Sequence, residues 1–96
     1  MQLDIINFYE PLVVDRIRYV LEGSEQSGDN DFLTDVACVA LNNLPARYIR
    51  HSVDATFYMS SEELANITVS INDAVDHAIA YVEQRLHEHP DGTAHR

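Results

Sequence analysis

Asp35-Val36-Ala37-Cys38-Val39-Ala40-Leu41-Asn42-Asn43-Leu44-Pro45-Ala46-Arg47-Tyr48-Ile49 is an almost wholly apolar helix that runs into two amides, a proline and a cationic-aromatic exit. From Val36 to Leu41 no residue is charged or amide-bearing. A helix apolar nearly all round has to be central, either in a monomer core or in a subunit interface. The lone cysteine, Cys38, lies inside this run and reads as a small buried hydrophobe. Pro45 disfavours helical geometry at Leu44 and ends the element. Upstream, Asp31 is the expected N-cap of a helix over about 32–43, with Thr34 and Asp35 in its first turn to complement the dipole.

Working toward the N-terminus, the polar run from Gly23 to Asn30 reads as a flexible loop after a helix over about 8–22. Asn7 with Glu10 fits a capping box, and Pro11 falls in the first turn, where its missing N–H costs least. Val13, Ile17, Val20 and Leu21 recur on one side, giving an amphipathic surface helix, and Gly23 is its expected C-cap.

Toward the C-terminus, Arg47 to Met59 favours extended structure, with Ser52 to Ala55 able to turn a short hairpin. Two strands alone are marginal, so an arm packed on helices is expected. The last helix should run over about 61–88, with Ser60 and Glu63 as a second capping box and Pro90-Asp91-Gly92 as its stop. Leu64, Ile67, Ile71, Ala74 or Val75, Ala78, Val82 and Leu86 mark its seam. Val69 and Ile79 lie partly off that seam and point to a second buried face.

These elements predict a mainly α fold: one domain over residues 1–96, with three to four helices, a short extended arm and a flexible tail over 90–96. A lone chain of 96 residues buries only roughly 60–65% of its unfolded surface. A second copy would add core, so a helical homodimer built around the second and last helices is expected.

The 46% hydrophobic content is that of a globular chain. Sixteen acidic residues face six basic ones, all arginine, for a formal charge of −10. Such a charge opposes the backbone of DNA or RNA and an anionic membrane surface, so neither a nucleic-acid polymer nor a membrane is an expected partner. A small anion needs only a local arginine pocket, because distant carboxylates are screened over about 8 Å in physiological salt. One cysteine builds no disulfide framework. No basic region followed by a long apolar run opens the chain, and a cytoplasmic location is expected.

Chemistry concentrates at Arg47, Tyr48, Arg50 and His51, with Asn42 and Asn43 across the proline turn. Two arginines within four residues supply planar forks for phosphate or for the O6/N7 edge of guanine, and a tyrosine ring offers a stacking face. In an extended segment Arg47 and Ile49 point one way while Tyr48 and Arg50 point the other, so one pocket would need a turn or a partner subunit. The plainer alternative is an amide-capped helix end followed by a solvated arm. His87, His89 and His95 lack the i, i+4 spacing of a helical metal site and read as a solvated helix end, and His77 as a half-buried helix residue. Asp73 with Asp76 and the Glu62-Glu63 pair come with no nucleophile and base and no glycine-rich phosphate loop, so no enzyme is expected.

The opening stretch resembles the signature of the ComFB family (late competence development protein) at Ala40-Leu41-Asn42 and over Pro45 to Ile49, with weaker similarity over Asn7 to Glu22. Members of that family act as receptors for cyclic dinucleotides, chiefly cyclic di-GMP. The resemblance implies a similar role. The mechanism expected for it is a population shift, in which a dianionic ligand clamps arginines and orders the arm from Arg47 to Met59, changing a surface that a protein partner reads. Assigning Arg47 and Arg50 to the ligand is inference from their chemistry, and Arg16 with Arg18 is the fallback. Some family members bind zinc through cysteines just before the second helix. Here Asp29, Asn30, Asp31 and Phe32 stand there, so no structural zinc and no other cofactor is expected. The alternative function is an acidic protein-interaction module with no small ligand, in keeping with the association with competence or motility that the family name suggests.

Overall fold

Residues 5–50 and 59–88 are described by the computed structural model. The chain runs through strand β1 (Ile5–Asn7), helix α1 (Tyr9–Leu21), a single 3-10 turn (Glu25–Gly28), helix α2 (Asn30–Asn42), strand β2 (Tyr48–Arg50) and helix α3 (Ser61–Glu88). It is a mainly helical fold of three helices with a small two-stranded sheet. The expected turn at 52–55 and the tail over 90–96 lie outside the described residues.

Helix α1 starts beside Asn7, whose side-chain oxygen accepts from the Tyr9 backbone N–H at 3.2 Å. The N-cap position itself is Phe8, whose side chain caps nothing. At the other end Gly23 takes φ +81°, a left-handed conformation only glycine adopts without strain. The Ser24 N–H and hydroxyl both donate to the Leu21 carbonyl there, at 2.9 and 2.7 Å. Tyr9, Val13, Ile17 and Leu21 form the buried stripe. Val20, expected in that stripe, is 38% exposed, because the i, i+4 progression from Tyr9 to Leu21 passes it by. The polar run after Gly23 is tighter than the expected loop and coils into the 3-10 turn.

Helix α2 begins two residues earlier than expected. Asp29, not Asp31, is its cap: the carboxylate accepts from the Phe32 N–H at 3.1 Å, and Asp31 sits inside the first turn. The helix packs on both α1 and α3, burying Phe32, Val36 and Ala40. Cys38 is exposed, against the expectation of burial. At 3.6 residues per turn it lies about 200° around the axis from both Val36 and Ala40, on the side away from the core.

Ser60 caps α3, accepting from the Glu63 N–H through its hydroxyl at 3.1 Å, and the helix runs over the 28 residues from Ser61 to Glu88. Ile71, Ala74, Val75, Ala78 and Val82 are buried, and the small pair Ala74 and Ala78 lets the neighbouring helices approach. Leu64 and Ile67 are half-buried, and the last seam residue, Leu86, is 39% exposed. Ile79 packs against the core while Val69, 58% exposed, stands off it. Each fully buried Val or Ile contributes roughly 1.5–3 kcal/mol, so Val13, Ile17, Val36 and Val75 anchor the three-helix contact.

The strand β1 has no counterpart in the sequence expectations. It pairs antiparallel with β2, in the register Ile5 to Arg50, Ile6 to Ile49 and Asn7 to Tyr48. Such a ribbon is marginal alone and has to lean on a core. Ile49 does so, packing against the buried cluster.

Candidate functional site

The site region is the corner where α2 ends and β2 begins. Asn43 closes α2: its backbone N–H donates to the Ala40 carbonyl at 3.1 Å and its side-chain amide to the Val39 carbonyl at 3.0 Å. Asn42 is exposed. After Pro45 the chain is tied back to the start of α1 by one residue. The Asn7 side-chain oxygen accepts from the Arg47 N–H at 3.1 Å as well as from Tyr9, and the Phe8 N–H donates to the Arg47 carbonyl. These bonds fix the origin of β2 against α1.

Strand alternation then sorts the side chains. Tyr48 and Arg50 are both exposed, Tyr48 at 67%, and share one face of the ribbon with their register partners Asn7 and Ile5. Arg47 goes elsewhere: its guanidinium carbon lies over the Phe8 ring, 5.6 Å from the centroid, within cation–π range. Phe8 is buried and meets Tyr9 edge-on, 5.4 Å between centroids. The corner therefore offers two guanidinium positions on opposite sides of one strand, with an exposed aromatic ring beside the outer one. The candidate amides do not converge with them, since the Asn43 side chain is held by its own helix. His51 lies outside the described residues.

The chain matches the model of the family described as late competence development protein ComFB over residues 6–86. It belongs to the ComFB family. No curated protein and no solved structure matches it. The match to ComFB takes in all three helices and the ribbon, apart from Ile5 and the last two residues of α3. It thus extends the similarity seen in the sequence from the α1 stretch and the proline corner to most of the chain.

A second feature of this ComFB chain was not picked out from the sequence. Phe8 at the N-cap of α1, with Leu12 and Arg16 of the helix, faces Leu64, Ile67, Thr68, Ile71 and Asn72 of α3 across a cleft of about 240 Å³. Phe8 belongs to both the cleft and the Arg47 stack. Spacing of four along α1, from Phe8 to Leu12 to Arg16, is the signal that could have found it. Among the described residues no three His, Cys, Asp or Glu side chains could hold a metal ion, and no helix is long and apolar enough to cross a membrane.

Proposed function

We propose that this ComFB-family chain is a receptor for a cyclic dinucleotide, cyclic di-GMP, and relays the bound state to a protein partner as a homodimer. The observation that carries the reading is the strand β2, which turns an aromatic ring and a guanidinium, Tyr48 and Arg50, onto one exposed face. Arg47 waits on the other side over Phe8. A doubly negative ligand suits guanidinium forks, which grip phosphate through paired N–H bonds, and an exposed ring gives a base a surface to stack on. The overall charge of −10 does not forbid this, because its field is screened over about 8 Å.

Relay follows from how β2 is attached. Its start is tied to α1 through Asn7 and Phe8, so a ligand bracing Arg47 and Arg50 shifts the balance of ribbon positions relative to the helices. A partner then reads the altered surface. Nothing in this reaction scheme is covalent: the chain binds and signals, and no enzyme activity is proposed.

Thermal melting with a panel of mononucleotides and cyclic dinucleotides tests it. At 100-fold over the dissociation constant a ligand adds about 2.7 kcal/mol, and for a domain of this size each kcal/mol raises Tm by roughly 4–8 °C. Arg47→Ala and Arg50→Ala should weaken binding while leaving the fold intact. A flat panel on folded protein abandons the receptor and favours an acidic adaptor, whose docking surface would include the exposed Tyr81 and Leu86 of α3.

A further inference from the structure

Among the described residues, Arg16 is the one side chain with a polar atom sealed without a partner. Its Nε is closed off from solvent and meets no hydrogen-bond acceptor among the described residues. A buried donor left unmade costs about 1–3 kcal/mol, while the side chain as a whole is only partly buried and lines a cleft. The guanidinium carbon lies 5.5 Å from the centroid of the Tyr19 ring, within cation–π range. What lies beside it is the α1–α3 cleft, walled by Phe8, Leu12, Ile67 and Ile71. Asn72 is the cleft's second polar end, while the Thr68 hydroxyl is already committed to the Leu64 carbonyl at 3.0 Å.

We infer that this cleft is the base pocket of the receptor proposed above, on which the inference rests, and that Arg16 reads guanine in it. Three observations converge. The volume of about 240 Å³ falls below the roughly 300–1,000 Å³ that encloses a drug-sized ligand, so it takes one flat ring system and leaves the rest of a dinucleotide outside. The walls are mostly apolar, as a stacked base requires, with Arg16 and Asn72 as the uncommitted polar side chains of the lining. Phe8 is shared between the cleft and the Arg47 stack, so a ligand entering here carries its phosphate toward Arg47. About 12 Å of helix separates positions 8 and 16, so Arg47, stacked over Phe8, is set for phosphate and Arg16, in the lining, for base.

The chemistry sets the base. Guanine presents two acceptors, O6 and N7, on one edge, and an arginine fork donates to both; adenine presents an acceptor and a donor there. Arg16 therefore selects guanine over adenine, whereas Arg47 and Arg50, acting on phosphate, do not discriminate.

Isothermal titration of cyclic di-GMP and cyclic di-AMP into wild type, Arg16→Lys, Arg16→Gln and Arg50→Ala separates these roles, with circular dichroism confirming that each variant is folded. Arg16→Lys keeps the charge and the apolar stem but loses the planar fork. Both Arg16 variants should lose about 5- to 150-fold in affinity for cyclic di-GMP, the range of one bidentate base contact, with the guanine-to-adenine preference falling in parallel. Arg50→Ala should weaken both ligands alike. Nuclear Overhauser contacts from guanine H8 to methyl-labelled Ile67 and Ile71 should appear in the wild-type complex. An unchanged preference in the folded Arg16 variants, or contacts to methyls elsewhere, overturns the base pocket while leaving the receptor standing. No heat from either ligand with wild type overturns both.

Discussion

Asn7 does the work of two residues. One side-chain oxygen accepts from the first N–H of α1 and from the N–H of Arg47, 40 positions away, so it caps a helix and pins a strand together. Asn7→Ala leaves both donors without that acceptor and should cost about 1–3 kcal/mol, read as a lowered urea midpoint at unchanged slope. Asn7→Asp keeps the acceptor at a helix N-terminus, where negative charge is favoured, and should cost less. Asn43 provides the contrast. Its amide bonds only the exposed Val39 carbonyl of its own helix, and Asn43→Ala should fall within about 0.5 kcal/mol of wild type. The helix-start role of Asn7 was legible, because an amide followed by Glu10 and an apolar period marks a beginning. Its bond to Arg47 was not, since nothing local encodes a partner 40 residues on. The same limit explains Cys38: hydrophobic content placed it in the core, and only the direction from which α1 and α3 arrive decided that it faces out.

Among the elements, the long ones carry their signal in the sequence and the short ones do not. The bounds of α3 follow from a hydroxyl cap and a sustained apolar period, and its seam from Ile71 to Val82 is buried as spaced. Strand β1 escaped because Ile5-Ile6-Asn7 is too short to show alternation; it exists only because β2 lies alongside. For α2 the cap is displaced, since Asp29 and Asp31 are both acceptable N-caps by type and only the backbone path chooses between them. Asp29→Ala should therefore lower stability by about 1 kcal/mol, the usual cost of a lost cap. Asp31→Ala, which loses only a dipole contact, should cost roughly 0.3–1 kcal/mol at low ionic strength and less as salt is added. A larger, salt-independent loss at Asp31 than at Asp29 would return the cap to Asp31. The core face of α2 gives a sharper figure: Val36 is fully buried between helices, and Val36→Ala should cost about 2–4 kcal/mol by methyl removal and the cavity left. Cys38→Ser, two residues along, should be close to neutral.

At the scale of the molecule, the alternation along β2 was readable and the composition of the site was not. Arg47 parting from Tyr48 and Arg50 follows from strand geometry alone, but the Phe8 ring beneath Arg47 and the cleft behind it come from α1 and α3 meeting. That tertiary fact also bears on assembly. With 28 residues α3 is about 42 Å long, against about 20 Å for α1 or α2. Its buried positions run from Ile71 to Val82, with Leu64 and Ile67 half-buried before them. Val69, Tyr81 and Leu86 are exposed along it, and Val20 and Tyr19 stand open on α1. A small domain gains core from a second copy, and the proposed homodimer would cover part of this surface. Sedimentation equilibrium should then give twice the mass of the 10.9 kDa chain. Val69→Glu, which places a charge where a methyl pair would meet a partner helix, should shift the protein toward monomer while the circular dichroism stays helical. A monomeric wild type at tens of micromolar would sink the dimer. A dimer untouched by Val69→Glu would move its interface off this part of α3 and onto the open side of α1.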